Sequence, residues 1–161
     1  MKSPIGPLLV ASTENGLCKI SFGKDGDGEF QSWMSKMFPE ASSKKNDSEN
    51  QAVTDSLDQY FAGKLHDFDL KLDLRAHGFQ LKALTKLSKV PYGTTITYGT
   101  LAARAGSERA ARAAGAACAT NPIPIVIPCH RVIGVNGKLT GFGGGIQAKR
   151  WLLRHEGIEL L

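Results

Sequence analysis

Between positions 123 and 132 the chain reads Ile-Pro-Ile-Val-Ile-Pro-Cys-His-Arg-Val. An apolar, β-branched run of this length, closed by a proline, predicts a short buried strand from Ile123 to Val132. Such an element would hold Cys129 and His130 at the edge of a packed core. Cys129 is then either an inert packed thiol, since free cysteine is among the most buried residue types, or a nucleophile presented by a rigid support.

The surrounding charge separates the chain into two halves. Residues 1–75 carry nine Lys/Arg against twelve Asp/Glu, a net −3, whereas residues 76–161 carry eleven against three, a net +8. A basic field confined to one half suits a polyanionic partner, with nucleic acid the commonest. A solvated basic surface would have the same composition. No stretch approaches the roughly 18 consecutive apolar residues of a spanning helix, so no membrane partner and a cytoplasmic location are expected. Cys18, Cys118 and Cys129 are widely spaced and include no Cys-x-x-Cys pair. They fit reduced thiols better than a disulfide framework or a zinc site.

In the first half, Leu8 to Ser12 and Leu17 to Phe22 flank Glu14-Asn15-Gly16, a hairpin signal that places Cys18 within a strand. Residues 23–28 read as a polar turn. Glu29 to Phe38 predicts a helix whose Phe30, Trp33, Met34 and Met37 stripe belongs to a core. A polar loop over 39–51 leads to a second helix, Ala52 to Gly63, and the strict alternation of residues 68–74 predicts a half-buried strand. His66 falls in a turn and is read as solvated.

In the second half, Phe79 to Val90 predicts an amphipathic helix stopped by Pro91-Tyr92-Gly93. Thr97 can cap a short helix from Tyr98 to Ala105, ended by Gly106, and Ser107 can cap another from Glu108 to about Ala119. The pair has the signature of a helix-turn-helix, and equally of an αα-corner used for packing. The second helix is built from Arg109-Ala110-Ala111-Arg112-Ala113-Ala114-Gly115-Ala116-Ala117. Small side chains such as Ala113, Gly115 and Ala116 would let it approach a narrow DNA minor groove and carry Arg112 into it. They would also permit close packing of two helices.

Residues 133–139 fit a further hairpin. The glycine-rich run Thr140-Gly141-Phe142-Gly143-Gly144-Gly145 lacks P-loop spacing. It suits a backbone passing close to a flat ligand, with Phe142 as a stacking wall. A final helix, Gln147 to His155, carries Trp151, Leu152 and Leu153.

Taken in order, Ala111-Arg112-Ala113, Asn121-Pro122-Ile123-Pro124, Pro128-Cys129-His130-Arg131-Val132 and Leu152-Leu153-Arg154-His155-Glu156-Gly157 resemble the O6-alkylguanine-DNA alkyltransferase family. The likeness covers residues 79–157 and is only one of outline over residues 1–75. It implies an α+β protein with an N-terminal ribonuclease H-like domain containing an antiparallel sheet, over residues 1–75. Residues 76–161 would form a mainly helical, winged-helix-like domain that binds DNA and transfers the alkyl group.

The resemblance further implies that Cys129 irreversibly accepts an alkyl group from O6 of a guanine flipped out of double-stranded DNA. An unperturbed thiol near pKa 8.5 is mostly protonated at neutral pH, so a base is needed. His130 is that base by the resemblance, and because adjacent side chains diverge, a bridging water is expected between them. Glu156 would orient His130, Asn121 would tie the active-site turns together, and Tyr98 would donate toward the leaving purine. Arg112 would fill the space of the flipped base. Tyr98 and Arg131 are further expected at the DNA, and Val132, Phe142 and Gly143 around the base.

No cofactor is implied, and a monomer is expected. Phe142 stands where the family often has tyrosine, and the zinc ligands of some members have no counterpart, so no metal is expected. Two other readings remain open: a DNA lesion sensor that binds without reacting, and a cysteine hydrolase using Cys129, His130 and Glu156.

Overall fold

Asn15-Gly16 between two apolar runs folds as the hairpin its pattern predicts: β1 (Leu8–Thr13) and β2 (Gly16–Phe22) pair antiparallel, with a bulge between Ala11 and Ser12. Gly16 has φ 131°, and any side chain there would collide with the Lys71 backbone, so glycine is required. The computed structural model describes residues 1–23 and 28–160; of the polar turn expected over 23–28, residues 24–27 lie outside the described residues. Two compact units divide the chain, one spanning Met1–Arg75 and the other beginning at Ala76.

In the first unit, α1 (Glu29–Met37) and α2 (Gln51–Phe61) accompany the hairpin. Its core holds Leu8, Leu17 and Ile20 from the strands, Phe30 from α1, and Val53, Leu57 and Tyr60 from α2. Cys18 is buried there as a packed side chain. The α1 stripe is only partly core, since Phe30 is buried but Met37 is exposed. The strand predicted over residues 68–74 reduces to one bridge, Leu72 to Leu17, supported by Leu17 N–H to Lys71 O at 2.9 Å and Asp73 N–H to Leu17 O at 2.8 Å. Its alternation is real in burial, but it meets β2 only at the end opened by Gly16.

The second unit is built on three helices, α3 (Gly78–Leu87), α4 (Tyr98–Arg104) and α5 (Ala111–Ala119), which pack on one another. Leu84 and Leu87, Leu101 and Ala102, and Ala114 and Ala117 are their buried residues. The helix α3 ends at Leu87, earlier than its apolar repeat suggests, and Val90 is buried in the turn before Pro91. Thr97 caps α4 as predicted, its hydroxyl accepting from Thr100 N–H at 3.1 Å. Gly106, at φ 98°, closes α4 with Gly106 N–H to Ala103 O and Ser107 N–H to Ala102 O, a Schellman pair. The chain makes a further turn, with Ala110 N–H bonding Ser107 O, so α5 starts at Ala111 with Ala110 at its N-cap, and the cap expected from Ser107 does not form.

A short β3 (Ile96–Thr97) pairs in parallel with β4 (Val132–Ile133), joining the start of α4 to the segment after Cys129. The hairpin expected over 133–139 is instead a single 3-10 turn, Val135–Gly137, closed by Gly134 N–H to Lys138 O at 2.7 Å. Asn136 and Gly137 both have positive φ there, so the Asn-Gly pair makes a turn without flanking strands to extend. The last helix, α6 (Ile146–His155), inserts Ala148, Lys149, Leu152 and Leu153 into the interior.

The run that seemed to be a strand, residues 123–132, is a buried turn followed by a 3-10 turn, Cys129–Arg131. Ile123, Ile125 and Ile127 are buried, yet Pro122, Pro124 and Pro128 supply no backbone donors for a ladder. Ile127 N–H bonds Ile123 O at 2.9 Å, and Ile125 between them adopts φ 74°. A β-branched residue in that region carries strain of about 1–3 kcal/mol, and it persists only where the surroundings over-determine it.

Candidate active site

Asn121 supplies that over-determination. Its side-chain amide donates to Ile127 O at 2.8 Å and its Oδ1 accepts from Ile123 N–H at 3.0 Å, so one buried residue clamps both ends of the turn. Cys129 N–H then bonds Ile127 O at 2.8 Å, carrying the constraint to the thiol.

Cys129 lines a cavity of about 640 Å³. Ala111, Arg112, Gly115, Cys118 and Ala119 of α5 form one wall, and Thr140 to Gly143 form another together with Tyr98. Arg112, Ala113 and Ala116 are exposed on α5, whereas Ala114 and Ala117 face inward. The small-residue helix therefore does both things its composition permits: it packs closely on one side and presents a low, arginine-bearing surface on the other. Tyr98 OH shares a 2.5 Å hydrogen bond with Thr140 Oγ1, linking α4 to the glycine-rich loop. Phe142 is half-buried on that loop.

The imidazole of His130 is buried and does not line that cavity. His130 Nε2 meets Glu156 Oε1 at 2.7 Å, and no hydrogen bond joins His130 to Cys129 among the described residues. Glu156 occupies the C-cap of α6, where Gly157 at φ 82° closes the helix with Gly157 N–H to Arg154 O and Ile158 N–H to Leu153 O. Its carboxylate also accepts two bonds from Arg131, Nε to Oε2 and Nη2 to Oε1, each 2.9 Å, and one from Gly93 N–H at 3.1 Å. Arg131 Nη1 donates to Val90 O at 2.6 Å. Arg131, expected at the DNA, is buried with its guanidinium committed inward. The correction has a plain cause: an arginine in a basic half looks like a phosphate contact until its carboxylate partner, 25 residues away, is placed.

Ionised and held by Arg131, Glu156 can only accept hydrogen bonds, so Nε2 of His130 carries the proton and Nδ1 keeps a bare lone pair. That Nδ1 is buried without a protein partner. Burial holds His130 below the ordinary histidine range despite the opposing pull of Glu156. Burial likewise pushes the Cys129 thiol up, while the Asn121 amide, the Lys149 charge and a backbone hydrogen bond pull it down. A neutral base with an unpartnered lone pair one residue from a buried thiol is suited to take up that thiol's proton through one intermediary.

Val132 is buried; its N–H bonds Cys129 O and its carbonyl accepts from Lys149 Nζ at 2.7 Å. Sequence reasoning passed over Lys149, as it did Thr140 and Cys118. The signal for Lys149 was present, because it lies three and four residues before Leu152 and Leu153 on the apolar row of α6. Among the described residues, no group of three or more His, Cys, Asp or Glu side chains could hold a metal ion, and no helix is long and apolar enough to cross a membrane.

Residues 78–158 match the family model for the 6-O-methylguanine DNA methyltransferase DNA binding domain, and residues 1–74 match that for its ribonuclease-like domain. The chain belongs to this methyltransferase family. A methylated-DNA–protein-cysteine methyltransferase of Methanosarcina acetivorans is 43% identical over 160 residues, covering 97% of this chain and 95% of its own. The corresponding protein of Mycobacterium leprae is 40% identical and covers 100% of this chain and 92% of its own. Among solved structures, Mycobacterium tuberculosis OGT in complex with DNA matches at TM-score 0.81 and 41% identity, covering 97% of this chain and 89% of that one. The two-domain α+β architecture, with a small antiparallel sheet in one part and a helical DNA binding domain in the other, is that of the family.

Proposed function

We propose that this chain repairs DNA by transferring a methyl or other alkyl group from O6 of guanine to its own Cys129, acting as a methylated-DNA–protein-cysteine methyltransferase. One observation carries the reading: Cys129 lies in a cavity between the arginine-bearing face of α5 and the Phe142 loop, beside a buried His130–Glu156 pair. The relatives' names and the DNA complex of the tuberculosis protein support the substrate class.

The proposed step begins with the Cys129 proton moving through a water to His130 Nδ1, giving a thiolate and an imidazolium held by Glu156. The sulfur attacks the alkyl carbon, the S–C bond forms, the C–O6 bond breaks, and its electron pair leaves on the purine. Tyr98, which lines the cavity, donates toward that purine. The thioether has no route back to a thiol, so each molecule acts once and needs no cofactor.

To reach Cys129 the lesion base leaves the stack, at a cost lowered by the weak pairing of a damaged base. Arg112 enters the vacated space while Ala113, Gly115 and Ala116 admit the helix to the minor groove. Phe142 stacks on the base, and Gly143 and the second lone pair of the Val132 carbonyl meet its edge. The protein works as a monomer in the cytoplasm, where thiols stay reduced. Titration with duplex DNA carrying O6-methylguanine tests the reading: one equivalent consumed per protein supports it, binding without transfer indicates a sensor, and continued turnover indicates a hydrolase.

A further inference from the structure

Lys149 is 0% exposed, on the inward row of α6. Its ammonium donates to Val132 O at 2.7 Å and stands 5.8 Å from the centre of the Tyr98 ring. Neither neighbour is an anion. Among the described residues no carboxylate pairs with Lys149, and Glu156, at the end of the same helix, is taken by Arg131 and His130. A buried ammonium without a counter-charge is costly and tends to shed its proton. Burial does hold Lys149 below the ordinary lysine range. Opposing that loss are the negative charges available to Cys129 and Cys118. Geometry points to Cys129: the carbonyl that Lys149 bonds belongs to Val132, whose N–H bonds Cys129 O, and the Tyr98 ring beside the ammonium lines the same cavity as Cys129.

We infer that Lys149 is the built-in counter-ion of the Cys129 thiolate, a positioning charge fixed by the Val132 carbonyl so that the buried sulfur can hold an anion. The inference rests on the reading of Cys129 as the nucleophile. Other titratable or charged groups around this thiol are His130 on the same turn, Cys118 and Arg112 from α5, and Tyr98 from α4. Of these, His130 is neutral at rest, Arg112 is exposed to solvent, and Tyr98 and Cys118 are themselves raised by burial, while the charge of Arg131, on the same turn as Cys129, is matched by Glu156. The residual positive field on the sulfur therefore comes from Lys149. A merely structural lysine would matter through its bond to Val132; a counter-ion matters through its charge.

Glutamine and methionine separate the two roles, since Lys149→Gln can still donate a hydrogen bond and Lys149→Met keeps length without charge. The measurement is the pH dependence of Cys129 carbamidomethylation by iodoacetamide in the whole protein without DNA, read by peptide mass. Loss of the charge is expected to raise the midpoint in both variants by about one pH unit, a tenfold fall in thiolate fraction below the midpoint. An unmoved midpoint in either variant with an intact unfolding transition overturns the inference.

Should neither variant fold, the coupling is read from the other side, by 15N titration of the Lys149 ammonium in the wild-type and Cys129→Ser proteins. Linkage requires Lys149 to lose its proton at lower pH once the thiol is gone; identical titrations overturn the inference. Iodoacetamide needs no DNA, so failure of the proposed repair reaction and failure of the counter-ion role give different results.

Discussion

His130 Nε2 lies 2.7 Å from Glu156 Oε1, both side chains are fully sealed from solvent, and the opposite nitrogen of the same ring has no hydrogen-bond partner among the described residues. One edge of the imidazole is thus anchored and the other is left to take a proton. Cys129 and His130 share one 3-10 turn, and no hydrogen bond joins their side chains among the described residues.

The state of His130 sets a pH dependence. Burial lowers its folded value below 6.5, so the folded protein binds fewer protons than the unfolded chain as pH drops under 6.5. Its stabilising contribution is fully present above 6.5 and is lost as pH falls through the lower folded value. Methyl transfer depends on the same neutral ring. Rates measured from pH 5 to 8 should hold level near neutrality and decline only below 6.5; a decline centred above 6.5 would show the ring to be no such base.

Arg131 is expected to matter to folding and not to DNA. Replacing it by Met leaves Glu156 buried with its main counter-charge gone, a change worth about 3–5 kcal/mol of stability. Urea unfolding checks the loss. Non-specific DNA affinity and its salt dependence, compared under conditions where the variant is folded, should match the wild type, since a lost phosphate contact would reduce the salt slope by about one.

Arg112 should behave in the opposite way. The exposed Arg112→Ala substitution is expected to leave stability within about 0.5 kcal/mol. Transfer from duplex DNA should slow at least tenfold, while alkylation of Cys129 by iodoacetamide stays unchanged. Equal slowing of both reactions would place the arginine in the thiol chemistry instead.

Asn121→Ala removes both clamps on the Pro-rich turn, stranding Ile123 N–H and leaving Ile127 O with only its bond from Cys129 N–H. Leaving one buried donor unpaired costs about 1–3 kcal/mol, so a loss of that size is expected in urea unfolding. The strained φ of Ile125 should relax with it, and the thiol, no longer held, should transfer more slowly. A variant of wild-type stability would mean that the prolines alone set the turn.

What could be read from the residues was uneven, for physical reasons. The glycines of the caps, the Thr97 cap and the hairpin are local, and local chemistry specifies them. Cys129, His130, Asn121 and Glu156 were legible because their spacing matches a family pattern, yet the pattern says nothing of the strand-like run becoming a turn. Periodicity cannot distinguish a buried turn from a buried strand, and the decisive groups were the three prolines and the Asn121 side chain. Arg131 looked like a DNA contact and Lys149 had no assigned role, because burial of a charge depends on partners distant in sequence: Glu156 for one, and the Val132 carbonyl for the other.

The central claim is that Cys129 takes the alkyl group and keeps it. Intact mass spectrometry of the whole protein after incubation with excess O6-methylguanine duplex tests this directly, with peptide mapping and a Cys129→Ala control. The expected result is a gain of one methyl group, confined to the peptide containing Cys129, with no further DNA repaired after one equivalent and no gain in the control. An unmodified protein, a methyl group on Cys118 or Cys18, or repair continuing past one equivalent would contradict it.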